Sequence, residues 1–269
     1  MRNTNNKLNI LVTGANGQLG LTLKELSKRF SDICFDFKTK KELDISSSQE
    51  IEEVTAIKSY NYLINCAAFT NVEEAERDPK LAYLINSEAV KKLSEICFKR
   101  EICLIHISTD YVFDGEKGSP YSTLDKTNPI NEYGKSKLLG EQYIQEVLQH
   151  YYIVRTSWLY SKKYGHNFYR TILKKARQGE QLRVIDNQLG CPTNTEYLSL
   201  FIMQHLIMEK ADSGLYHITD GEPMTWFEFA NKILEENGLK NTTEIVRDNN
   251  YRSFAKRPKN SVLIKKKCK

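Results

Sequence analysis

Three short segments of the chain combine glycines with hydroxyl-bearing and basic side chains. Residues 14–20 read GANGQLG, residues 108–113 read STDYVF, and residues 133–137 read YGKSK. A glycine turn of the first kind suits the pyrophosphate of a dinucleotide. A tyrosine hydroxyl of the third segment suits proton donation, and a threonine hydroxyl of the second suits a carbonyl oxygen that gains negative charge. Together the segments indicate hydride transfer to a carbonyl group.

The glycine turn lies between an apolar run, residues 8–12, and a helical pattern that begins at Gln18. Glycines there let the backbone approach a pyrophosphate, and the helix N-terminus offers free N–H groups. The spacing is three and three rather than G-x-G-x-x-G, and a glycine turn without a ligand is the alternative. The predicted cofactor contacts in this turn are Gly14, Asn16, Gly17, Gln18 and Leu19.

The segment after the second predicted strand, residues 33–37, carries both acidic and basic groups. Asp36 lies near the position where NAD-specific sites place an acid for the ribose, but Lys38 and Lys40 follow it closely. Basic groups there suit the 2′-phosphate of NADPH, although a solvated loop also explains them. We therefore favour NADPH over NADH and leave both open. Further predicted cofactor contacts are Asp44 and Ile45 before a helix, and Ala67 and Ala68 at the end of the third predicted strand.

Tyr133 and Lys137 are four residues apart on a predicted helix, so their side chains project from the same face. A nearby ammonium favours the phenolate and lowers the tyrosine pKa from its usual value of about 10. Thr109 follows a buried predicted strand, residues 102–108, at the edge where open α/β sheets place ligands. We predict that all three are catalytic. Tyr133 donates the proton, Thr109 orients the oxygen, and Lys137 tunes Tyr133 and binds the nicotinamide ribose.

Strand and helix patterns alternate through the first part of the chain. Predicted strands cover residues 8–12, 33–37, 62–68, 102–108 and 151–155, and predicted helices cover 18–30, 49–58, 72–75, 81–100, 133–149, 196–210 and 226–237. The alternation predicts an α/β fold with a doubly wound, parallel, Rossmann-type sheet. We expect a dinucleotide-binding domain over residues 1–157. Residues 158–269 are expected to form mainly a smaller C-terminal substrate-binding lobe, interwoven with the first domain.

The composition limits the classes of function. With 40% hydrophobic and 27% charged residues, the chain is expected to pack a core. A net charge of +5 without a basic stripe or an RNA-binding aromatic motif argues against nucleic acid. Residues 1–7 are polar and the first apolar run is short, so neither a secretory signal nor a membrane span is expected. Six cysteines without a Cys-x-x-Cys pair suggest free thiols in the cytoplasm.

These segments resemble the extended short-chain dehydrogenase/reductases and, within them, the dTDP-4-dehydrorhamnose reductase family. Further matching segments, in the family's order, are residues 65–76 (NCAAFTNVEEAE), 155–160 (RTSWLY) and 184–193 (VIDNQLGCPT). The resemblance covers nearly the whole chain. It implies NAD(P)H-dependent reduction of the 4-keto group of dTDP-4-dehydro-L-rhamnose to dTDP-L-rhamnose, the last step of dTDP-rhamnose synthesis for cell-surface polysaccharide.

The resemblance also implies roles for individual residues. Thr109, Tyr133 and Lys137 match the catalytic triad. Arg257 matches a position near the nucleotide, with a surface arginine as the alternative, and Trp158 has core packing as its alternative. Similarity to the family further allows Mg²⁺ dependence, with ligands unknown, and a homodimer. The positions that match the sugar pocket are Thr70, Val72, Thr109, Asp110, Tyr111, Tyr133 and Trp158, of which Thr70 also matches a cofactor contact.

Two other functions remain open. Related sugar-nucleotide dehydratases carry an Asp-Glu pair after the catalytic threonine, whereas here Asp110 is followed by Tyr111. Since dehydration needs an acid to expel water, this difference favours reduction. A reductase or epimerase of another nucleotide 6-deoxy sugar would keep the same three catalytic residues. A non-catalytic regulatory subunit that binds a dinucleotide is the second alternative.

Overall fold

The computed structural model describes residues 7–248 and 250–265. Strands and helices alternate through residues 8–156, as the sequence predicts. The strands are β1 (Leu8–Thr13), β2 (Ile33–Lys38), β3 (Tyr62–Asn65), β4 (Cys103–Thr109), β5 (Tyr151–Thr156), β6 (Leu159–Tyr160), β7 (Leu182–Val184), β8 (Leu189–Gly190), β9 (Thr193–Asn194), β10 (Gly214–His217), β11 (Met224–Thr225) and β12 (Ile245–Arg247). The helices are α1 (Gln18–Ser27), α2 (Ser48–Ile57), α3 (Val72–Arg77), α4 (Pro79–Tyr83), α5 (Ala89–Arg100), α6 (Glu132–Val147), α7 (Phe168–Arg177), α8 (Thr195–Phe201) and α9 (Trp226–Glu236).

The central sheet of the described residues has six strands in the order β10-β5-β4-β3-β1-β2. Every neighbouring pair is parallel. Strand β1 pairs with β2 on one side and with β3 on the other, so Ile10 lies between Phe35 and Tyr62. The connections from this point run in opposite directions along the sheet, and their divergence opens a crevice at the carboxyl ends of the strands. The predicted doubly wound sheet is confirmed.

Apolar residues cover both faces of this sheet. On β1, Ile10 and Val12 pack toward α1 and α8, whereas Leu11 packs toward α2 and α5. Alternate residues of a strand point to opposite faces, so a continuous apolar run is what a strand covered on both sides requires. The two faces hold the carboxyl ends of the strands in fixed positions beneath the site.

The C-terminal part of the chain is divided between the sheet and a small lobe. Strand β10 joins the sheet beside β5, whereas α7 and α9 pack together through Tyr169, Ile172, Phe229 and Ile233. The sequence patterns did not predict α7, whose first turn is capped by the Asn167 side chain accepting from the backbone of Arg170 at 3.0 Å. The domain boundary after residue 157 stays a prediction.

The predicted helix over residues 81–100 differs from the structure. It begins at Pro79, which fits the first turn of a helix, and a π-helical turn, Leu84–Glu88, separates α4 from α5. The turn buries Asn86, whose Oδ1 accepts from the backbone N–H of Phe69 at 2.9 Å. Its Nδ2 donates to Ser136 Oγ at 3.1 Å. The π-helical turn thus ties the segment after β3 to α6, which carries Tyr133 and Lys137.

Two smaller expectations concern thiols and membranes. Five cysteines of the described residues are free, and Cys268 lies outside those residues. In the part of the chain that the structure describes, no helix is both long and apolar enough to span a membrane.

Candidate active site

Two adjoining cavities open at the carboxyl ends of the central strands. The smaller cavity, about 360 Å³, lies beside the glycine turn and reaches Lys40 and Asp44. The larger cavity, about 630 Å³, extends from the same turn across Thr109 to Trp158. The cavities lie next to each other and share five wall residues, namely Asn16, Gly17, Cys66, Ala67 and Ala68.

The glycine turn is shaped to leave the smaller cavity open. Gly14 has a φ of 65°, and a Cβ there would stand 2.6 Å from the backbone nitrogen of Ala67. A Cβ on Gly20 would meet the Gly14 carbonyl oxygen at 2.6 Å. Gly17 precedes α1 and makes no side-chain cap, so the first N–H groups of that helix remain available to an anion. The turn therefore fits the pyrophosphate of a dinucleotide.

Some of the acidic and basic candidates near β2 line the smaller cavity, and Asp36 does not. Asp36 lies outside the wall, where it accepts from Tyr60 at 2.6 Å and pairs with Lys38 at 3.3 Å. Lys40, Asp44 and Ile45 line the cavity. Lys40, which lies 3.9 Å from Asp44, thus lines the cavity, whereas Asp36 does not.

The catalytic candidates meet in the larger cavity. Thr109 ends β4, and Tyr133 lies in the first turn of α6, whose N-cap Asn131 accepts from the backbone of Gly134 at 2.8 Å. A Cβ on Gly134 would stand 2.2 Å from the Tyr111 carbonyl oxygen, so glycine lets this helix approach the end of β4. Burial raises the pKa of Tyr133 to about 12, and its hydrogen bond with Thr109 partly opposes this rise. The hydroxyl is therefore protonated and suited to proton donation.

Lys137 lines the same cavity, but its ammonium group contacts other partners than Tyr133. Nζ donates to the Ile107 carbonyl at 2.7 Å and lies 3.1 Å from Nε2 of His106. Burial lowers the pKa of Lys137 to about 8, against the opposing charge of Glu141. The expected lowering of the Tyr133 pKa by Lys137 is absent from this arrangement, since burial dominates both groups.

Asp110 adds a buried carboxyl group to the wall. Thr109 donates to its Oδ1 at 3.1 Å and Ser157 donates to its Oδ2 at 3.0 Å. Burial raises the pKa of Asp110 to about 6, although hydrogen bonds from Ser261, Ser157 and Thr109 lower it. Asp110 holds the Thr109 hydroxyl in place.

An indole pair forms the opposite wall. Trp158 stacks on Trp226 with ring centroids 3.5 Å apart and an angle of 7°. Trp158 adopts a φ of 48°, an uncommon conformation for a bulky residue. Gly190 makes room for it, because a Cβ there would lie 2.5 Å from the indole. Trp158 thus packs against both Trp226 and Gly190, and its expected contact with a sugar ring stays a prediction.

Arg257 is the predicted site residue that neither cavity includes among its wall residues. Its Nη1 pairs with Glu73 Oε1 at 2.6 Å, and it hydrogen-bonds Tyr111, which does line the larger cavity. Arg257 therefore contacts a wall residue of the larger cavity without lining the cavity itself. All other predicted site residues line one cavity or both, and their individual roles stay predictions.

The C-terminal lobe contributes wall residues that the sequence patterns did not indicate. Aromatic side chains there pack against one another and against Trp226. Aromatic residues of a helix look the same in sequence whether they pack a core or line a pocket, so no local signal could have found them. The additional wall residues of the lobe are Leu159, Tyr160, Gly165, His166, Asn167, Phe168, Trp226 and Phe229.

Within residues 7–248 and 250–265, no group of three or more His, Cys, Asp or Glu side chains is placed to hold a metal ion. The Mg²⁺ dependence allowed by the resemblance stays a prediction.

Comparison with known proteins agrees with this geometry. The sequence model of the RmlD substrate binding domain matches residues 8–269. The dTDP-4-dehydrorhamnose reductase of Aggregatibacter actinomycetemcomitans is 35% identical, over 94% of this chain and 90% of its own. The spore coat polysaccharide biosynthesis protein SpsK of Bacillus subtilis is 36% identical, over 94% and 88%.

Solved structures show the same likeness. A dTDP-4-dehydrorhamnose reductase of Bacillus anthracis in complex with NADP superposes with a TM-score of 0.91 at 35% identity, covering 97% of this chain and 91% of that one. The UDP-glucose 4-epimerase of Thermus thermophilus, in complex with NAD, shares only the fold, with a TM-score of 0.80 at 17% identity.

The fold and the paired cavities define a nicotinamide-dependent oxidoreductase of the short-chain dehydrogenase/reductase type. Family membership follows from the match over nearly the whole chain. The protein belongs to the RmlD substrate-binding domain family, together with the dTDP-4-dehydrorhamnose reductases.

Proposed function

We propose that this protein reduces the 4-keto group of dTDP-4-dehydro-L-rhamnose with NADPH and forms dTDP-L-rhamnose, the last step of dTDP-rhamnose synthesis for cell-surface polysaccharide. The observation that carries the proposal is the larger cavity. Thr109, Tyr133 and Lys137 line it, and it continues into the glycine turn. The names of the relatives support the sugar.

Thr109, Tyr133 and the indole pair each have a separate role in the proposed reduction. The hydride for the carbonyl carbon would come from the nicotinamide when the cofactor is bound. The Thr109 hydroxyl, which donates to Asp110 in this structure, would turn its proton to the carbonyl oxygen and stabilise the negative charge that develops there. Tyr133 then gives its proton to this oxygen, and the hydroxyl product is complete. The indole pair Trp158–Trp226 offers a flat apolar surface for the sugar ring, which holds the carbonyl near Thr109.

The glycine turn and the wall that faces it also fit a dinucleotide on steric grounds. The space beside Gly14 and Gly20 is too narrow for added side chains, and Ala67 and Ala68 keep the facing wall small. We propose that the pyrophosphate lies at the start of α1 and the adenosine end lies near Asp44 and Ile45. Lys137 then binds the nicotinamide ribose from the larger cavity.

The reaction is tested by NADPH oxidation with enzymatically prepared dTDP-4-dehydro-L-rhamnose and by NMR identification of the product. Formation of dTDP-L-rhamnose is the expected result. A different 6-deoxy sugar nucleotide would favour the alternative substrate class, which is represented by the dTDP-4-keto-6-deoxy-D-glucose reductase of Streptomyces niveus at 37% identity. Tight NADPH binding without turnover of either sugar would favour the regulatory alternative.

Lys40 provides a test of cofactor preference. Replacing it with glutamine (K40Q) is expected to raise KM for NADPH about fivefold, because an exposed ion pair contributes roughly 1 kcal/mol. KM for NADH, which lacks the 2′-phosphate, is expected to change by less than about twofold. The control is K41Q, since Lys41 is exposed and is not a wall residue. Equal rises for both cofactors would contradict a 2′-phosphate contact.

A further inference from the structure

A chain of buried polar groups leads from β1 to Lys137. Thr13 Oγ1 donates to Asn65 Oδ1 at 2.7 Å, and Asn65 Nδ2 lies 3.1 Å from His106 Nδ1. Nε2 of His106 in turn lies 3.1 Å from Lys137 Nζ. Asn65, His106 and Lys137 are each at most 2% exposed. Because water does not reach these groups, each contact must pair a donor with an acceptor or cost free energy.

The direction of this chain is fixed at one end by the backbone. The N–H of Ala67 donates to Asn65 Oδ1 at 3.2 Å, and a backbone N–H can only donate. The amide of Asn65 is therefore oriented with Nδ2 toward His106. Since Nδ2 can only donate, Nδ1 of His106 must accept and carries no proton.

The tautomer of His106 follows from this orientation. A neutral imidazole with an unprotonated Nδ1 carries its proton on Nε2, and Nε2 faces Lys137. A charged imidazole is disfavoured, because burial and the charge of Lys137 hold the pKa of His106 well below its usual range. An N–H group of His106 consequently points at Nζ of Lys137.

An ammonium group has no lone pair and meets that N–H as a second donor, whereas a neutral amine accepts from it. We propose that Asn65 and His106 are positioning residues that act through Lys137, favouring its neutral amine so that it gains and loses a proton within the working pH range. The Ile107 carbonyl accepts from Nζ in either form. This contact holds the side chain in place while its charge changes.

The other ionisable groups around Lys137 are compatible with this role. Tyr133 lies one turn earlier on α6 and is protonated, as burial raises its pKa. Glu141, one turn later, favours the ammonium form, but it is bound to Arg155 from β5 at 2.6 Å. Cys66 lines the cavity as a neutral thiol, because burial raises its pKa to about 12. His106 is therefore the neighbour that directly opposes the ammonium charge.

The proposal is tested first in the free wild-type protein by NMR. Nitrogen-15 shifts of His106 are expected to show the proton on Nε2, and Lys137 is expected to titrate below the exposed lysines. A His106 ring with its proton on Nδ1 would overturn the proposal. This measurement needs no turnover, so its outcome does not depend on whether the proposed reduction is correct.

The second test uses variants without a new charge. Glutamine at position 106 (H106Q) can turn its amide oxygen toward Nζ, so the Lys137 titration is expected to move up by about one pH unit or more. The control T13V removes one donor to Asn65 but leaves the Ala67 contact, and the titration should stay in place. An unchanged titration in H106Q would overturn the proposal, and the wild-type measurement decides the matter if this variant does not fold.

The kinetic consequence rests on the proposed function. If the ammonium form supports reduction, kcat falls as the pH rises through about 8, where Lys137 loses its proton. In H106Q this fall is expected at higher pH, whereas T13V is expected to keep the wild-type profile. A shifted NMR titration without any reductase activity would refute the proposed reaction and retain the role of His106.

Discussion

Replacing Tyr133 with phenylalanine (Y133F) is expected to lower kcat by about a hundred- to ten-thousandfold, the usual contribution of a positioned general acid. The ring that packs at 5.9 Å from Tyr111 remains, and only the hydroxyl beside Thr109 is lost. The Kd for NADPH, measured by calorimetry, is therefore expected to stay within about threefold of the wild-type value, as expected when a transition-state interaction is lost.

The matched control is Y143F on the same helix. Tyr143 lies on α6 away from both cavities, where Lys91 approaches its ring. The control loses the same hydroxyl and is expected to keep the wild-type kcat. Turnover by Y133F near the wild-type rate would show that another group donates the proton.

The largest expected effect on stability comes from the ion pair beneath the site. Arg155 Nη2 binds Glu141 Oε2 at 2.6 Å, and Ser108 donates to Glu141 Oε1 at 2.5 Å. Both charged side chains are at most 5% exposed. Replacing Arg155 with methionine (R155M) leaves the carboxylate buried without its partner, so the free energy of unfolding is expected to fall by about 3–5 kcal/mol. Urea unfolding monitored by circular dichroism measures this change.

An exposed pair of the same chemistry serves as the comparison. Lys163 pairs with Glu25 at 2.8 Å, and their side chains are 53% and 43% exposed. Water solvates both charges when the pair is broken, so K163M is expected to cost about 0–1 kcal/mol. Similar losses in R155M and K163M would mean that the buried carboxylate finds another partner or a proton.

The glycine turn and the strands were predictable because their signals are local. Gly14 and Gly17 lie between a strand and a helix, and Gly20 lies in the first turn of that helix, in the sequence prediction as in the structure. Thr109 was found for the same reason, since it ends a buried apolar strand. The doubly wound topology then places these residues at one edge of the sheet.

Features that depend on contacts between distant segments were not predictable. Asn86 enters a π-helical turn because it binds both Phe69 and Ser136, 17 and 50 residues away. The contact of Lys137 with His106 joins α6 to β4 across 31 residues. A helix pattern predicts which face a side chain takes, but it does not predict whether Lys137 meets Tyr133 or His106 there. The aromatic wall residues of the C-terminal lobe were not predicted either, because their role also depends on contacts between distant segments.

The indole pair allows ligand binding to be followed by the intrinsic fluorescence of the unmodified protein. The sequence contains two tryptophans, and Trp158 and Trp226 both line the larger cavity. Intrinsic tryptophan fluorescence therefore arises at the wall of the site. A sugar ring against Trp158 would displace water from the indole, whereas a reduced nicotinamide absorbs light where indoles emit. Cofactor and substrate should thus change the emission differently, and the order of their binding can be followed by stopped-flow mixing without a label.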